Sequence, residues 1–395
     1  MARSHDMTSG SIWRSLLGFS IPIMISNLVQ STYNAVDMLF VGRFTGTESL
    51  AAVSVCGPIL NVMIITLSGM SAVVLVVISG LLGAGDIKQA QDAAHTSVAL
   101  YALMAAVMTV LGLLFVPQIL RLVQTPAAAM PEAKRYLYTV FAGTVFTFGY
   151  NLIGALQRGL GNATASMSFV IISSAANIAL DAVFIVWLGM GALGAALGTV
   201  LSQVAAFVIG TVQLARGGAA LRLSARAVRF HKKHLKNILL FGVPTALNEV
   251  MVNLAMLTVS GVANSFGLAS SAAYGVGSRI NSLAIFTDGA MNQTMSAYAS
   301  QNIGAGRQKR ALEGLWKAII LSAGAALGTS LLVLGFASEF SACFDSDPAV
   351  IEQSAAFLRV TVWSYPLFAT VGPLIVFIRG SGNVEASLLV RGVAQ

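Results

Sequence analysis

Long hydrophobic runs separated by short polar segments cover almost the whole chain. Each run contains about 20 or more mostly apolar residues, which is the length that an α-helix needs to cross a bilayer. Glycine, proline and charged residues mark the ends of the runs. They predict ten spans, at residues 16–41, 50–81, 93–116, 136–157, 166–188, 191–214, 237–263, 268–300, 312–336 and 354–378, and an eleventh that begins near Glu385 and is cut off. The pattern predicts an all-α polytopic membrane protein.

The only long polar run lies between the sixth and seventh predicted spans, at residues 215–236. Its basic side chains are Arg216, Arg222, Arg226, Arg229, Lys232, Lys233 and Lys236. Such a cluster would suit a nucleic acid, but a basic loop between two spans is the typical mark of a cytoplasmic loop. With this loop inside, the alternation of spans places the N-terminus in the cytoplasm and most other basic loops on the same side.

The composition excludes a soluble globular protein, because 56% of the 395 residues are apolar, only 10% are charged and the mean hydropathy is +0.80. The formal charge of +8 is explained by the basic loops, so we expect no nucleic-acid partner. Cys56 and Cys343 are expected to be free thiols. No nucleophile or metal-protease motif occurs, and His231 and His234 flank two lysines of a solvated loop. We therefore expect neither an enzyme nor a structural metal site.

Two short motifs recur at one spacing. Arg158-Gly-Leu-Gly-Asn162 returns as Arg379-Gly-Ser-Gly-Asn383, and Gly83-Ala-Gly85 returns as Gly304-Ala-Gly306, both 221 positions later, while Pro22 and Pro244 are 222 positions apart. The spacing predicts two parallel six-helix repeats, an arrangement that places a transporter's substrate path between its halves.

This repeat divides the chain into a cytoplasmic N-terminus (residues 1–15), a first lobe (16–214), the basic loop (215–236) and a second lobe (237–395). The second copy stops at the counterpart of Ser174, within the eleventh helix. We interpret the twelve-helix architecture as truncated in this chain.

Few charged residues lie inside the predicted spans, and each carboxylate there costs on the order of 3 kcal/mol unless it has a partner, a wet cavity or a role. In the first span Asn27, Gln30, Asn34 and Asp37 are spaced 3, 4 and 3 residues apart, so they share one helical face. In the fifth span Asn177 precedes Asp181 by four residues. Counting residues to the span ends places Asp37 and Asp181 at similar depth. We expect them to bind an exchangeable cation together, because neighbouring like charges favour uptake of a positive ion; the alternative is that each merely bridges helices by hydrogen bonds.

The second copy lacks this chemistry, since Val259 stands at the counterpart of Asp37. Instead Glu249 and Arg279 approach mid-membrane from opposite sides, and Asp288 lies deeper. We hypothesise an ion pair between Glu249 and Arg279, with a role in lining the substrate cavity as the alternative.

The combination of motifs resembles the multidrug and toxic compound extrusion (MATE) family, and its bacterial DinF-like branch in particular. The resemblance runs from Trp13 to the last residue. It is carried by Pro22 and Asp37 at their spacing, the two Arg-Gly-x-Gly-Asn loops, Gln301-Asn-Ile-Gly-Ala-Gly306 and Asn177-Ile-Ala-Leu-Asp181. It implies ion-coupling roles for Asp37, Asn177 and Asp181, a helix bend at Pro22, and cavity-lining roles for Tyr150 and Asn151. Glu249 lies five residues after Pro244 and does not match the acidic position of other branches, where this chain has Val252.

The resemblance implies a secondary active multidrug efflux antiporter. It would export organic cations in exchange for H+ or Na+ at Asp37 and Asp181, with no other cofactor, as a monomer in the bacterial cytoplasmic (inner) membrane. One alternative is a lipid-linked saccharide flippase, although its pyrophosphate would need Arg-lined stripes that the first lobe lacks. The other is a truncated fragment that does not transport.

Overall fold

The computed structural model describes residues 6–216, 221, 223–284 and 286–381, and these residues form helices and no strand. The all-α prediction is confirmed. The α-helices are α1 (Ile12–Phe44), α2 (Thr47–Gly83), α3 (Ile87–Leu122), α4 (Met130–Ala142), α5 (Thr144–Gly159), α6 (Ala163–Asp181), α7 (Gly191–Arg216), α8 (Lys232–Ser265), α9 (Leu268–Ala284), α10 (Phe286–Gly304), α11 (Gln308–Ala342), α12 (Pro348–Thr361) and α13 (Tyr365–Gly380). A π-helix, Ala182–Trp187, extends α6, and a 3₁₀ turn, Val362–Ser364, joins α12 to α13.

The described helices support nine of the ten predicted spans if α4 and α5 together form one of them. Within the described ranges, eight helical segments are long and apolar enough to cross a membrane, or nine if the bent pair α4 and α5 forms one span. The predicted span over 268–300 contains α9 and α10, and residue 285 between them lies outside the described residues, so this span stays a prediction. The predicted eleventh span lies outside the described residues.

The fourth predicted span, 136–157, is bent by 49° between α4 and α5. Gly143 stands at the bend, where a Cβ atom would lie 2.5 Å from Val200 Cγ2 of α7. Only glycine allows α7 to approach so closely. The bend depends on a contact with a distant part of the chain, which explains why the continuous apolar run gave no sign of it.

The repeated glycine motifs form helix corners. Gly85 and Gly306 follow α2 and α10 with φ of +74° and +71°, a left-handed backbone that favours glycine. Asp86 then caps α3, because its Oδ1 accepts a hydrogen bond of 3.0 Å from the backbone N–H of Gln89. Asn162 caps α6 in the same way after Gly161, whose φ is +78°. The motifs recur because each repeat turns between helices at the same places; residues 382 and 383 of the last copy lie outside the described ranges.

The described residues divide into two compact units. The first unit contains Asp6 and Ile25–Ala246, and the second contains Met7–Met24 and the residues from Leu247 onward. The division falls inside α1 and inside α8, two residues after Pro22 and two residues after Pro244. The limits 16–214 and 237–395 for two transport lobes stay a prediction.

Each unit has its own apolar core. In the first unit, Leu67, Tyr101 and Phe169 are among the fully enclosed side chains that α2, α3 and α6 contribute. In the second, α9, α11 and α12 pack around Val333 and Leu358. A further apolar cluster of the first unit contains Val41 and Ile185, which lie four residues after Asp37 and Asp181 of the site described next.

Candidate cation site

Asp37 of α1 and Asp181 of α6 come together within the first unit. Their carboxyl groups lie within hydrogen-bonding distance of each other. Asp181 is completely buried and Asp37 is partly buried. On each residue the Oδ1 atom is enclosed and has no hydrogen-bond donor among the described residues. Buried acceptor atoms without donors are costly, so this arrangement attracts a positively charged or hydrogen-donating group.

Asn177 lies one helical turn before Asp181 and is 1% exposed. Oriented to satisfy its neighbours, its Nδ2 donates to Asp181 Oδ2 at 3.2 Å, and its Oδ1 accepts from the backbone N–H of Thr199 at 3.3 Å. The amide therefore connects the Asp181 carboxyl group to the backbone of α7. It holds one carboxyl oxygen and leaves the other available.

Gly198 makes room for the Asp181 carboxyl group. A Cβ atom on Gly198 would overlap Asp181 Oδ1 and would lie 3.2 Å from its Cγ. Asp181 is also the last residue of α6 before the π-helix Ala182–Trp187, where the backbone N–H of Leu188 bonds the carbonyl of Val183 at 3.0 Å. Single π-turns often occur at functional sites. A close helix approach and a change of helical register thus coincide at this one carboxylate.

Two tyrosines, Tyr33 and Tyr136, lie near the pair. The Gln30 side chain, on the same face of α1 as Asp37, lies near the hydroxyl groups of Tyr33 and Tyr150. Tyr33 and the buried Tyr136 of α4 lie within electrostatic range of both carboxyl groups. Gln30 and Tyr150, both named from the sequence, therefore belong to the surroundings of the site.

The other predicted residues of the first unit are Asn27, Asn34 and Asn151. Asn151 Nδ2 donates to the carbonyl of Thr147 in its own helix at 2.8 Å. Asn27 is partly buried and Asn34 is exposed on α1. Among the described residues, none of these three side chains has a recorded hydrogen bond to the carboxylate pair.

The second unit contains the remaining predicted residues. Glu249 of α8 is partly buried, and Arg279 of α9 is exposed. Their ion pair stays a prediction. Asp288, in the first turn of α10, accepts a hydrogen bond of 3.2 Å from Asn292 Nδ2, while its Oδ1 is buried without a partner among the described residues. Asp288 thus has a polar neighbour of its own, Asn292, within this unit.

Sequence reasoning missed Gly198, Thr199, Tyr33 and Tyr136. Tyr33 lies four residues before Asp37 on the same helical stripe, so that stripe could have included it. Gly198 ends the series Gly191, Gly194, Gly198, and small residues at such spacing often mark close helix packing in membranes. Thr199 acts through its backbone, and Tyr136 lies on another helix, so the chain offers no local signal for either.

A cavity of about 520 Å³ lies elsewhere in the first unit. Its lining comes from the loop after α1 and the starts of α2, α4 and α7, and includes Glu48, Ser49, Glu132, Arg135 and Gly191. None of the predicted site residues lines it. Ser49 donates to Glu132 at 3.5 Å and Arg135 pairs with Glu132 at 3.2 Å, so its polar groups satisfy one another.

Comparisons with known proteins match nearly the whole chain to one protein family. The sequence model of the MatE family matches residues 22–183 and 244–395, two segments that begin at Pro22 and Pro244. The chain is 30% identical to the probable multidrug resistance protein YoeA of Bacillus subtilis (strain 168), over 95% of this chain and 82% of that protein. It is 27% identical to YpnP, a second probable multidrug resistance protein of that strain, over 98% of this chain and 87% of YpnP.

Solved structures of similar proteins share the fold. A crystal structure described as MATE in the straight conformation superposes with a TM-score of 0.90 at 25% identity, covering 98% of this chain and 86% of the other. An outward-facing multidrug resistance MATE family transporter of the MOP superfamily gives a TM-score of 0.88 at the same identity and the same coverage. The helices described above therefore follow an arrangement already seen in solved transporters.

Proposed function

Since the chain belongs to the MatE family of multidrug efflux transporters, we propose that it is a secondary active antiporter that exports organic cations in exchange for H+ or Na+. The observation that carries this proposal is the meeting of Asp37 and Asp181 in the first unit. Family membership supports transport itself, and the carboxylate pair supports the coupling.

Two adjacent carboxylates cannot both keep a full negative charge at low cost. At a separation of about 4 Å and an effective dielectric constant near 20, two like charges repel by about 4 kcal/mol. Uptake of one positive charge between them removes this repulsion. The pair therefore suits one exchangeable cation, and its two enclosed Oδ1 atoms are free to receive it.

The orientation of Asn177 favours a proton over a sodium ion. With the amide assigned the orientation that satisfies its neighbours, its NH2 group faces Asp181 and its oxygen accepts from the backbone N–H of Thr199. A hard metal cation is usually surrounded by several oxygen ligands, whereas a proton needs only two facing oxygens. We therefore take H+ as the first choice for the coupling ion, with Na+ at Asp37 and Asp181 as the second.

Coupling then follows from competition for the same negative charge. A proton that neutralises the carboxylate pair weakens the attraction for an organic cation, and loss of the proton restores it. By thermodynamic linkage, a bound organic cation must weaken proton binding by the same factor. Each ligand also favours the conformation that binds it better, which gives alternate release on the two sides of the membrane.

The proposal includes the placement of the protein in its membrane. The chain is a multi-pass membrane protein. We propose that it acts as a monomer in a bacterial cytoplasmic membrane with its N-terminus inside, because the basic residues concentrate in loops on that side. Its partners would be small organic cations and the lipid bilayer rather than nucleic acid.

Transport into vesicles tests the proposal. The purified protein is reconstituted, and export of a fluorescent lipophilic cation is driven first by a pH gradient and then by a sodium gradient. We expect export with the pH gradient and a loss of at least tenfold in Asp37→Asn, which keeps the shape but removes the charge. Glu352→Gln, an exposed residue of α12, is the matched control and should keep full activity. Undiminished export by Asp37→Asn would refute the proposed coupling, and flipping of a lipid-linked saccharide without cation export would favour the alternative.

A further inference from the structure

The residues just before α1 are bound firmly within the second unit. We call residues 7–10 the N-terminal strap. Met7 is completely buried, and its backbone N–H donates to Gln301 Oε1 at 3.2 Å. Asn302 Nδ2 donates to the Met7 carbonyl at 3.2 Å. The strap thus rests on the end of α10, inside the motif Gln301–Gly306 that the sequence singled out without a function.

Arg310 of α11 completes the binding of the strap. Its Nη2 donates to the carbonyl of Ser9 at 2.8 Å, its Nη1 to the carbonyl of Gly10 at 2.9 Å, and its Nε to the carbonyl of Met7 at 3.3 Å. One guanidinium group therefore binds three backbone carbonyl groups of the strap, and its planar array of N–H donors suits this better than a single ammonium group. Tyr298 also contacts Arg310. Its hydroxyl group donates to the Arg310 carbonyl at 3.1 Å, and its ring centroid lies 6.0 Å from the guanidinium carbon.

The strap leads directly into α1, which carries Asp37. α1 runs without interruption from Ile12 to Phe44, yet Met7–Met24 belong to the second unit and Asp37 belongs to the first. Pro22 lies between them and removes one backbone hydrogen bond from the helix, so this is where α1 deforms most easily. The segment before α1 is thus bound by Arg310, and Asp37 in the later part of α1 faces Asp181.

The same arrangement occurs at the first helix of the second repeat. The residues before α8 are bound to α3 within the first unit, where the backbone N–H of His231 donates to Thr96 Oγ1 at 3.2 Å and that of Ser224 donates to His95 Nε2 at 3.3 Å. Lys233 Nζ donates to Gln89 Oε1 at 3.0 Å. Gln89 and Arg310 are repeat counterparts, 221 positions apart. In both repeats, the segment that precedes the first helix is therefore bound within one unit, and the later part of that helix belongs to the other unit.

We propose that Arg310, together with Gln301 and Asn302, is a positioning residue for transport: it anchors the start of α1 in the second unit, so that a movement of α1 at Asp37 is passed on to that unit. The inference rests on the proposed function and adds to it the element that carries coupling. A helix with two fixed ends transmits a displacement, whereas a helix with one loose end absorbs it. Release of the strap should therefore uncouple cation uptake at Asp37 from transport without removing the carboxylate site.

The test compares Arg310→Gln with Lys309→Gln, its exposed neighbour of the same charge. Hydrogen exchange by mass spectrometry first checks that residues 7–10 are protected in the wild type and in Lys309→Gln but exchange faster in Arg310→Gln. Export of the fluorescent cation is then measured in vesicles, and binding of the same cation is measured in detergent. We expect Arg310→Gln to lose export at least tenfold and to keep binding within about twofold, and Arg310→Lys to recover only part of the export. A structural defect alone would lower binding and export together and leave no such separation.

Two results would overturn the inference. If Arg310→Gln releases the strap but exports at the wild-type rate, the anchor is not needed for transport. If cation binding by Arg310→Gln falls by the same factor as export, the residue only supports the fold. If Arg310→Gln does not fold, a chain that begins at Ser11 removes the same contacts, and the same two measurements decide. A wild-type protein that exports no cation under any ion gradient contradicts the proposed function instead, and it does so independently of the exchange data.

Discussion

Asp181 shows how neighbouring residues can dedicate one carboxyl group to an exchangeable ion. Asn177 binds its Oδ2, Asp37 faces it, and Gly198 leaves space beside its Oδ1. A carboxylate that only joined two helices would have both oxygens bonded, as buried polar groups usually do. The free Oδ1 atom therefore favours the exchangeable-ion interpretation over the purely structural one.

Gly198→Ala tests the space beside Asp181. The added methyl group would overlap Asp181 Oδ1 and force the carboxyl group away from Asp37. We expect cation export to fall at least tenfold while the protein still folds, because alanine is the better helix former. Gly57→Ala in α2 is the control, since no atom lies within 4 Å of the position of its new Cβ. Equal export by the two variants would show that the position of Asp181 does not matter.

Asn177→Leu tests the amide that links α6 to α7. The change leaves Asp181 Oδ2 and the backbone N–H of Thr199 without a partner in a buried place, which costs about 1–3 kcal/mol of stability. We expect a lower thermal unfolding temperature in detergent than for Asn151→Leu, whose amide bonds only its own helix. Matching unfolding temperatures for the two variants would argue against the bond between Asn177 and Asp181.

The helices show which parts of the fold a sequence can reveal. The apolar runs and the stripes on α1 and α6 arise from residues a few positions apart, so they predicted the spans and brought Asp37 and Asp181 to the same site. The bend at Gly143 and the gap at Gly198 depend on contacts with Val200 and Asp181, which lie 57 and 17 residues away along the chain. The pattern of apolar residues likewise did not predict the π-helix after Asp181. Features that depend on a distant partner escaped prediction, and they include the details that shape the site.

The cap at the start of α3 gives a pH-dependent prediction. The pKa of Asp86 is lowered, mainly because its carboxylate accepts a hydrogen bond from the backbone N–H of Gln89 and further because the Gln89 side chain binds it. A carboxyl group whose pKa is lower in the folded state stabilises the protein above the unfolded-state value of about 3.9, and this contribution disappears as the pH falls through the folded-state pKa.

Asp86→Ala should therefore unfold at a lower temperature than the wild type near neutral pH, and the difference should narrow progressively below about pH 4. Asp86→Asn keeps an acceptor oxygen and should lie close to the wild type near neutrality. A difference between Asp86→Ala and the wild type that is the same at every pH would show that the charge of Asp86 does not contribute.

At the scale of the whole molecule, the two repeats share their corners but not their chemistry. The turns at Gly85 and Gly306 have the same backbone, and the straps before α1 and α8 are held in corresponding places. Within the part of the chain that the structure describes, the second unit has no equivalent of the carboxylate pair, because Val259 stands at the counterpart of Asp37. The two repeats thus provide similar scaffolds. We propose that the first unit binds the ion and that the second unit fixes the start of α1.

The most direct test of this account is the pH change that follows addition of a lipophilic cation to the solubilised protein in weakly buffered solution. If the cation and a proton compete for Asp37 and Asp181, the wild type releases protons as the cation binds, and the release disappears in Asp37→Asn and in Asp181→Asn. Proton release of wild-type size in both variants would contradict the central claim that this carboxylate pair carries the coupling ion.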